Sequence, residues 1–185
     1  MSIAVYPGSF DPITLGHLNI IRRASRVFDE LFVCVMSDIE KSPLFTHEER
    51  VELISRTVAR FPNVKVETSK DLLVEYMNSK GAKVIIKGMR AVSDFDREFQ
   101  LALVNRKLDH NIETLLMPSS EKYTYLGSTV VKEMARYGAD LSTFVPKEII
   151  DELVLKVKSV GWRLYKDDDA SCCSGIEREV SVNEQ

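Results

Sequence analysis

Short apolar runs alternate along the chain with segments whose apolar residues recur at the spacing of a helix. A run that is apolar at every position predicts a strand buried on both faces, as is typical of parallel sheets. Alternation of such strands with helices predicts an α/β fold: a Rossmann-like, doubly wound, five-stranded parallel sheet in a single domain. The predicted strands are Ile3–Tyr6, Leu31–Met36, Asn63–Glu67, Val84–Ile86 and Ile112–Met117.

Capping residues mark where the predicted helices begin. Thr14 lies directly before the first amphipathic segment, and Thr46–Glu49 has the form of a capping box. Asp71 is expected to cap the third helix, which Gly81 should end. The remaining helical segments are predicted to begin at Ser93, Ser128 and Leu141.

The helix that begins at Ser93 is expected to direct four apolar side chains into the core, namely Phe95, Phe99, Ala102 and Leu103. Both phenylalanines are therefore interpreted as core residues and not as platforms on which a base stacks. Glu98 lies on the same helix, where one interpretation pairs it with Arg97 or Arg106 at the surface.

Composition and charge narrow the classes of protein to consider. Of 185 residues, 44% are apolar and 29% are charged, which is ordinary for a soluble globular protein. Residues 160–185 contain three basic and six acidic side chains and so account for the whole net charge of −3. This segment is interpreted as a mobile C-terminal extension. Residues 1–159 are neutral overall, which argues against nucleic acid as the partner. No apolar run could span a membrane and no signal sequence is recognisable, so a cytoplasmic location is expected.

The cysteines predict no metal or redox site. Cys34 lies in an apolar strand and is interpreted as an inert buried thiol. Cys172 and Cys173 are adjacent in the extension, without the further ligands that a metal ion needs. We therefore expect no metal centre built from protein ligands.

The carboxyl ends of parallel strands meet at one rim of the sheet, where open α/β proteins bind ligands. Cations, hydroxyls and one histidine at a helix start predict a site for several phosphates at this rim. Cysteine and acidic nucleophiles are absent from it, which argues against a hydrolase triad. The residues that follow the strands are Ser9, Phe10 and His17, then Lys41, then Leu72 and Leu73, then Lys87, Gly88 and Arg90, and finally Tyr123, Thr124, Ser128 and Thr129.

Two common phosphate-binding fingerprints are missing from the sequence. No Gly-x-Gly-x-x-Gly follows the first strand, which argues against a nicotinamide or flavin dinucleotide. No Gly-x-x-x-x-Gly-Lys-Ser/Thr is present, which excludes a P-loop protein. The stretch that remains is Tyr6–His17, which runs from the first strand into the first helix and ends in Thr-Leu-Gly-His.

The Thr-Leu-Gly-His element resembles the T/HxGH signature of the nucleotidyltransferase superfamily, which includes the class I aminoacyl-tRNA synthetases. The longer stretch Tyr6–His17 resembles the bacterial phosphopantetheine adenylyltransferases. The resemblance extends from about Ile3 to about Lys158 and implies that residues 1–159 form a nucleotidyltransferase domain. Its further motifs lie at residues 43–50, 88–95, 98–102, 105–106 and 131–133.

The resemblance implies transfer of AMP from ATP to 4′-phosphopantetheine, giving dephospho-coenzyme A and pyrophosphate. The nucleophile is an ionised phosphate, so the chemistry requires alignment and charge neutralisation but no general base. Mg²⁺ is implied as a cofactor held by phosphate oxygens and water, which leaves no ligand motif in the sequence. Members of the family are usually homohexamers, which is likewise implied for this chain.

The resemblance also assigns roles to residues by their positions in the matching motifs. His17 would stabilise the transition state at the α-phosphate, and Lys41, Arg90 and Ser128 complete the implied catalytic set. The implied phosphopantetheine site consists of Ser9, Lys41, Leu73 and Lys87. The implied ATP site consists of Ser9, Phe10, His17, Gly88, Met89, Arg90, Glu98, Tyr123, Thr124, Tyr125, Leu126, Gly127, Ser128 and Thr129.

Two positions depart from the family pattern. Lys87 stands where the family often has arginine, which keeps the charge but loses the bidentate fork. Gly127 replaces a residue of a serine-rich triplet and so contributes no hydroxyl. Two alternatives stay open: a related nucleotidyltransferase acting on nicotinate mononucleotide or a phosphorylated alcohol, and a nucleotide-binding regulator without catalysis.

Overall fold

The structure, a computed structural model, describes residues 1–36 and 43–161. Within these residues five parallel strands form one sheet, in the order β3-β2-β1-β4-β5, which confirms the predicted doubly wound architecture. Lys41, Cys172, Cys173 and the predicted extension beyond Gly161 lie outside the described residues. The strands are β1 (Ile3–Gly8), β2 (Glu30–Met36), β3 (Val64–Ser69), β4 (Val84–Met89) and β5 (Glu113–Pro118).

Helices connect the strands and cover both faces of the sheet. The described helices are α1 (Leu15–Ala24), α2 (His47–Val58), α3 (Leu73–Lys80), α4 (Val92–Leu108), α5 (Ser128–Arg136) and α6 (Ile150–Ser159), with short 3₁₀ helices at Glu121–Tyr123 and Lys147–Ile149. None of these helices is long and apolar enough to cross a bilayer.

The predicted caps of α1 and α2 are confirmed. The side chains of Thr14 and Thr46 each accept a hydrogen bond from the backbone N–H three residues further on. The side chain of that third residue in turn accepts a hydrogen bond from the backbone N–H of the threonine. Each capping box therefore satisfies two free N–H groups. The prediction for Asp71 was wrong, because Leu72 occupies the N-cap of α3. Asp71 instead bonds with the Ser69 hydroxyl through both its backbone N–H and its carboxylate.

The sheet buries apolar side chains on both faces, as the apolar strands predict. One face packs against α1, α2, α5 and α6 through residues such as Ala4 and Val33. The other face packs against α3 through Val5 and Cys34. Cys34 is a free, buried thiol, which confirms its predicted burial, and this burial raises the thiol pKa to about 11.

The expectation that α4 packs its aromatic residues into the core was wrong. Phe95 is 40% exposed, Phe99 is 46% exposed and Leu103 is 55% exposed, and no α4 side chain that the structure describes is fully buried. Apolar residues occur all around this helix, so their spacing does not define a single inward face. The rings of Phe95 and Phe99 stack on each other with centroids 5.3 Å apart.

The pairing between β1 and β4 is short. Only Ala4–Val84 and Val5–Ile85 are paired across these two strands, whereas β1 and β2 pair from Ile3 to Gly8. The chain winds from β1 towards β3 on one side and from β4 to β5 on the other, so β1 and β4 flank the topological switch point. A cleft opens where they separate, which is where ligands bind in this architecture.

Candidate active site

A cleft of about 990 Å³ lies at the carboxyl ends of β1 and β4. The starts of α1 and α5 also border it, so two helix N-termini face the same space. Most of the residues implied for the site line this cleft: Ser9, Phe10, His17, Leu73, Lys87, Gly88, Arg90, Glu98, Leu126, Gly127, Ser128 and Thr129.

Four residues of the implied ATP site do not line the cleft. Met89 ends β4 opposite Pro118, and the Thr124 hydroxyl donates to the Glu121 carbonyl at 2.9 Å. Tyr125 is 58% exposed with its ring edge-on to Phe144, and the Tyr123 ring packs under the Lys122 ammonium group. The 3₁₀ helix Glu121–Tyr123 brings residues 123–125 close to the cleft. Their side chains, however, contact residues that do not line it.

The turn after β1 is shaped by Phe10. This residue adopts a positive φ of 46°, an uncommon backbone conformation for a residue with a side chain. Its buried ring lies against Gly8, where a Cβ atom would stand 2.9 Å from Cζ of the ring. The ring meets His17 edge-on with centroids 5.1 Å apart. Gly8 and Phe10 therefore form a fixed wall beside the histidine.

His17 is held in one orientation by the capping box of α1. The backbone N–H of Thr14 donates to Nδ1 of His17 at 3.1 Å. A backbone N–H can only donate, so Nδ1 is the acceptor and the ring proton of the neutral imidazole resides on Nε2. His17 lines the cleft, and it therefore offers an N–H donor there.

The charge state of His17 follows from its surroundings. Burial, reinforced by the positive charge of Arg90, lowers its pKa to about 4. The imidazole is therefore neutral at physiological pH. A neutral ring with Nδ1 occupied and Nε2 protonated is a hydrogen-bond donor to the cleft and has no free lone pair with which to accept a proton.

Arg90 is fixed by a fork to one carboxylate. Its Nε and Nη2 both donate to Asp94 at 3.2 Å, and its Nη1 donates to the Leu126 carbonyl at 3.2 Å. Burial raises the pKa of Asp94, but the hydrogen bonds and charge of Arg90 outweigh burial and hold it below its ordinary value. A Cβ atom at Gly127 would lie 2.6 Å from Nη1 of Arg90. The absence of a side chain at Gly127, where this sequence departs from the family pattern, therefore leaves room for the Arg90 guanidinium.

Lys87 and Glu98 face each other at the cleft wall, with Nζ and Oε2 separated by 3.2 Å. The contact has the distance of an ion pair but lacks hydrogen-bond geometry, so the buried Oε2 has no hydrogen-bond donor among the described residues. Glu98 therefore pairs with Lys87, and the interpretation that joined it to Arg97 or Arg106 was wrong. Arg106 pairs instead with Glu113 at 2.9 Å.

Ser128 joins the start of α5 to the turn after β1. Its hydroxyl donates to the Pro12 carbonyl at 2.8 Å. This bond occupies the hydroxyl proton and leaves the oxygen lone pairs free. The first residues of α5 are thereby held beside the turn that carries Phe10.

The sequence did not lead us to three charged residues that support the site without lining the cleft: Asp11, Arg50 and Lys132. Arg50 is 2% exposed and donates to the Ser9 carbonyl at 2.7 Å and to the Thr46 carbonyl at 3.2 Å. Lys132 and the buried Asp11 form an ion pair at 2.8 Å. The sequence did contain a signal for these residues, because each is a charged residue inside a motif that matches the family. A solvent-exposed position does not explain a charge there.

The arrangement suits chemistry on phosphates. Lys87 and Arg90 supply cations, His17 supplies a neutral N–H donor, and two helix starts supply free backbone N–H groups. Within residues 1–36 and 43–161 no three His, Cys, Asp or Glu side chains group as a metal cluster. The two acidic side chains at the cleft, Asp94 and Glu98, each face a cation.

Comparison with known proteins gives three findings. The Cytidylyltransferase-like family model matches residues 5–134. A phosphopantetheine adenylyltransferase from Clostridium botulinum (strain Eklund 17B / Type B) is 50% identical over 158 residues, covering 85% of this chain and 99% of that protein. One from Clostridium kluyveri is 53% identical over 156 residues, covering 84% of this chain and 95% of that protein.

A solved structure shares the fold at low sequence identity. It belongs to a Vibrio parahaemolyticus protein provisionally assigned as a nicotinate-nucleotide adenylyltransferase, with a TM-score of 0.60 and 20% identity. The match covers 84% of this chain and 93% of that one. At this identity the likeness supports the α/β architecture alone.

Proposed function

The chain belongs to the phosphopantetheine adenylyltransferase family of cytidylyltransferase-like proteins, and on that premise we propose its reaction. As a nucleotidyltransferase, it transfers the adenylyl group of ATP to 4′-phosphopantetheine, giving dephospho-coenzyme A and pyrophosphate. The observation that carries this proposal is the neutral His17 at the cleft, with Lys87 and Arg90 lining the same space.

In the reaction, a phosphate oxygen of phosphopantetheine attacks the α-phosphorus of ATP. The bond to the bridging oxygen breaks, and pyrophosphate leaves with the bonding electrons. The attacking oxygen is ionised at neutral pH, so no proton has to be removed. The rate then depends on alignment and on stabilising the charge that develops around the α-phosphorus.

His17 is suited to that stabilisation because its Nε2–H can donate to an α-phosphate oxygen without a change in protonation. A neutral donor keeps its hydrogen throughout the reaction, whereas an imidazolium could lose its proton to the phosphate. The N-terminus of α1 adds partial positive charge at the same place. Together they form a preorganised oxyanion site.

The cations are proposed to hold the other phosphates. Arg90 would contact the phosphates of ATP, and Lys87 would contact the phosphopantetheine phosphate, with the role of Lys41 resting on the resemblance alone. Glu98 is also proposed to belong to the ATP site, which its position in the lining of the cleft supports. Mg²⁺ would enter as a complex with ATP, because both acidic side chains at the cleft already face cations.

A product assay tests this function. Purified protein is incubated with ATP, Mg²⁺ and 4′-phosphopantetheine, and we expect equimolar pyrophosphate and dephospho-coenzyme A. Product that forms only with nicotinate mononucleotide, or only with CTP and a phosphorylated alcohol, would assign the chain to a sister activity. ATP binding without turnover on any of these substrates would indicate a regulator.

We also propose a homohexamer and a cytoplasmic location. Assembly is supported by the apolar surface of α4, where Phe95, Phe99 and Leu103 are exposed in the single chain. Covering such a surface with another copy would remove it from water. A cytoplasmic location is supported by the requirement for ATP, and cell fractionation with detection of the protein tests it.

A further inference from the structure

We propose that Asp11 is a positioning residue that holds together three segments of the phosphate site, and that it acts through Lys132. Its meaning for catalysis depends on the proposed function, but the geometry does not. Asp11 is 5% exposed and lies next to Phe10, whose ring forms the wall beside His17. Its carboxylate does not line the cleft. It therefore acts on the reaction through its neighbours and not by touching a substrate.

The carboxylate of Asp11 uses both oxygens. Oδ1 accepts from the backbone N–H groups of Leu44 and Phe45 at 3.1 and 2.9 Å, and Oδ2 also lies 2.9 Å from the Leu44 nitrogen. Oδ2 accepts from Nζ of Lys132 at 2.8 Å. A single side chain thus joins the turn after β1, the segment before α2, and α5.

Helix α5 and helix α2, which follows directly on the segment before it, each have a separate hydrogen bond to the turn after β1. Ser128 on α5 donates to the Pro12 carbonyl, and Arg50 on α2 donates to the Ser9 carbonyl. Asp11 lies between those two contacts in the sequence and touches both neighbouring segments. A carboxylate is needed at this position because only an anion accepts from two backbone N–H groups and an ammonium group together.

Lys132 neutralises and orients the buried carboxylate. Its side chain is 17% exposed, and it lies one turn of helix beyond Ser128. Without Lys132 the carboxylate would be a buried charge with hydrogen bonds but no counter-charge, which is costly. Without Asp11 the ammonium group would be left unpaired in the same place. The two residues should therefore behave as a unit.

A double-mutant cycle with Asp11→Asn and Lys132→Met tests the unit, with Arg56→Met as the control. Arg56 pairs with Glu152 at 2.5 Å between α2 and α6, so its loss also breaks an ion pair but leaves the cleft untouched. We expect each single variant to lower kcat at least tenfold per folded molecule, with KM for ATP changed less than threefold. The double variant should be no worse than the weaker single one, and Arg56→Met should keep wild-type kcat.

A second measurement does not depend on activity. Amide hydrogen exchange followed by NMR should show the Leu44 and Phe45 amides protected in the wild-type protein and exchanging at least tenfold faster in Lys132→Met. Arg56→Met should leave both rates unchanged.

Two results would overturn the proposal. Unchanged kcat in folded Asp11→Asn and Lys132→Met, with only a lower Tm, would show a structural role without positioning. Unchanged exchange at Leu44 and Phe45 in Lys132→Met would show that the segments are not connected through Asp11. If the wild-type protein forms no dephospho-coenzyme A, the proposed function fails, while the exchange rates still decide the role of Asp11.

Discussion

At the scale of single residues, the proposed mechanism depends on one imidazole whose protonation and tautomer are both set by its neighbours. Thr14 occupies Nδ1, and burial with the Arg90 charge keeps the ring neutral. His17 thereby combines its part in the helix cap with the proposed role of donor to the α-phosphate. Two predictions concern this residue.

Replacing His17 by alanine should lower kcat about a hundredfold, because loss of one oxyanion donor costs about 3 kcal/mol of barrier. Steady-state kinetics with phosphopantetheine and ATP measure the effect. His110→Ala serves as the control, since His110 is an exposed residue beyond α4. Turnover of His17→Ala within threefold of wild type would remove His17 from the mechanism.

Stability should fall as the pH drops from about 6.5 to about 4. In that window the unfolded chain binds a proton at His17 that the folded chain, with a pKa of about 4, does not bind. Each pKa unit corresponds to about 1.4 kcal/mol, so the His17 contribution between pH 7 and 4.5 is about 2 kcal/mol. Urea unfolding of wild type and His17→Gln at both pH values measures it, since glutamine can keep the capping box. Equal losses in the two proteins would contradict the prediction.

Residue-scale contacts also mark how far sequence reasoning reaches. His17 could be predicted because its motif is local, with all of its capping partners within three residues. Asp11 could not, because its partners lie 33, 34 and 121 residues away. The partner predicted for Glu98 was also wrong, because its actual partner, Lys87, lies on a strand and not on the same helix.

At the scale of elements, the apolar strands and the caps of α1 and α2 were predictable because each depends on its own sequence, whereas the cap predicted for α3 was wrong. The burial of α4 was not, because it depends on what packs against the helix. Asp94, in the first turn of α4, forms its hydrogen bonds with Arg90, which precedes the helix. This helix contributes to the cleft on one side and carries an uncovered apolar surface elsewhere.

Replacing Phe99 by glutamate should break the proposed assembly, because a charge would be buried where a second copy covers the ring. Sedimentation velocity should show a smaller species than wild type. Leu155→Glu is the matched control, since Leu155 on α6 is 65% exposed and carries no proposed contact. An unchanged mass for Phe99→Glu, or dissociation of Leu155→Glu, would show that α4 is not the interface.

At the scale of the whole molecule, the described residues that line the cleft fall between Tyr6 and Val130 in the sequence. Helix α6 adds core packing through Leu153 and Val157 but no cleft residue. The family model, which matches residues 5–134, spans every residue that lines the described cleft.

Deleting residues 162–185 should leave kcat and both KM values within twofold of wild type, because no residue of the described cleft lies beyond Val130. The comparison uses the same steady-state assay on the full chain and the shortened one. A loss of tenfold or more would mean that the extension contributes to the site.

The short pairing of β1 with β4 has a mechanical consequence. The sheet consists of a three-stranded and a two-stranded half, joined across this seam by two residue pairs. A pulling force applied across the sheet would part the halves at the seam before it sheared the longer ladders. A nucleotide bound at the seam would contact both halves and so increase the force needed to separate them.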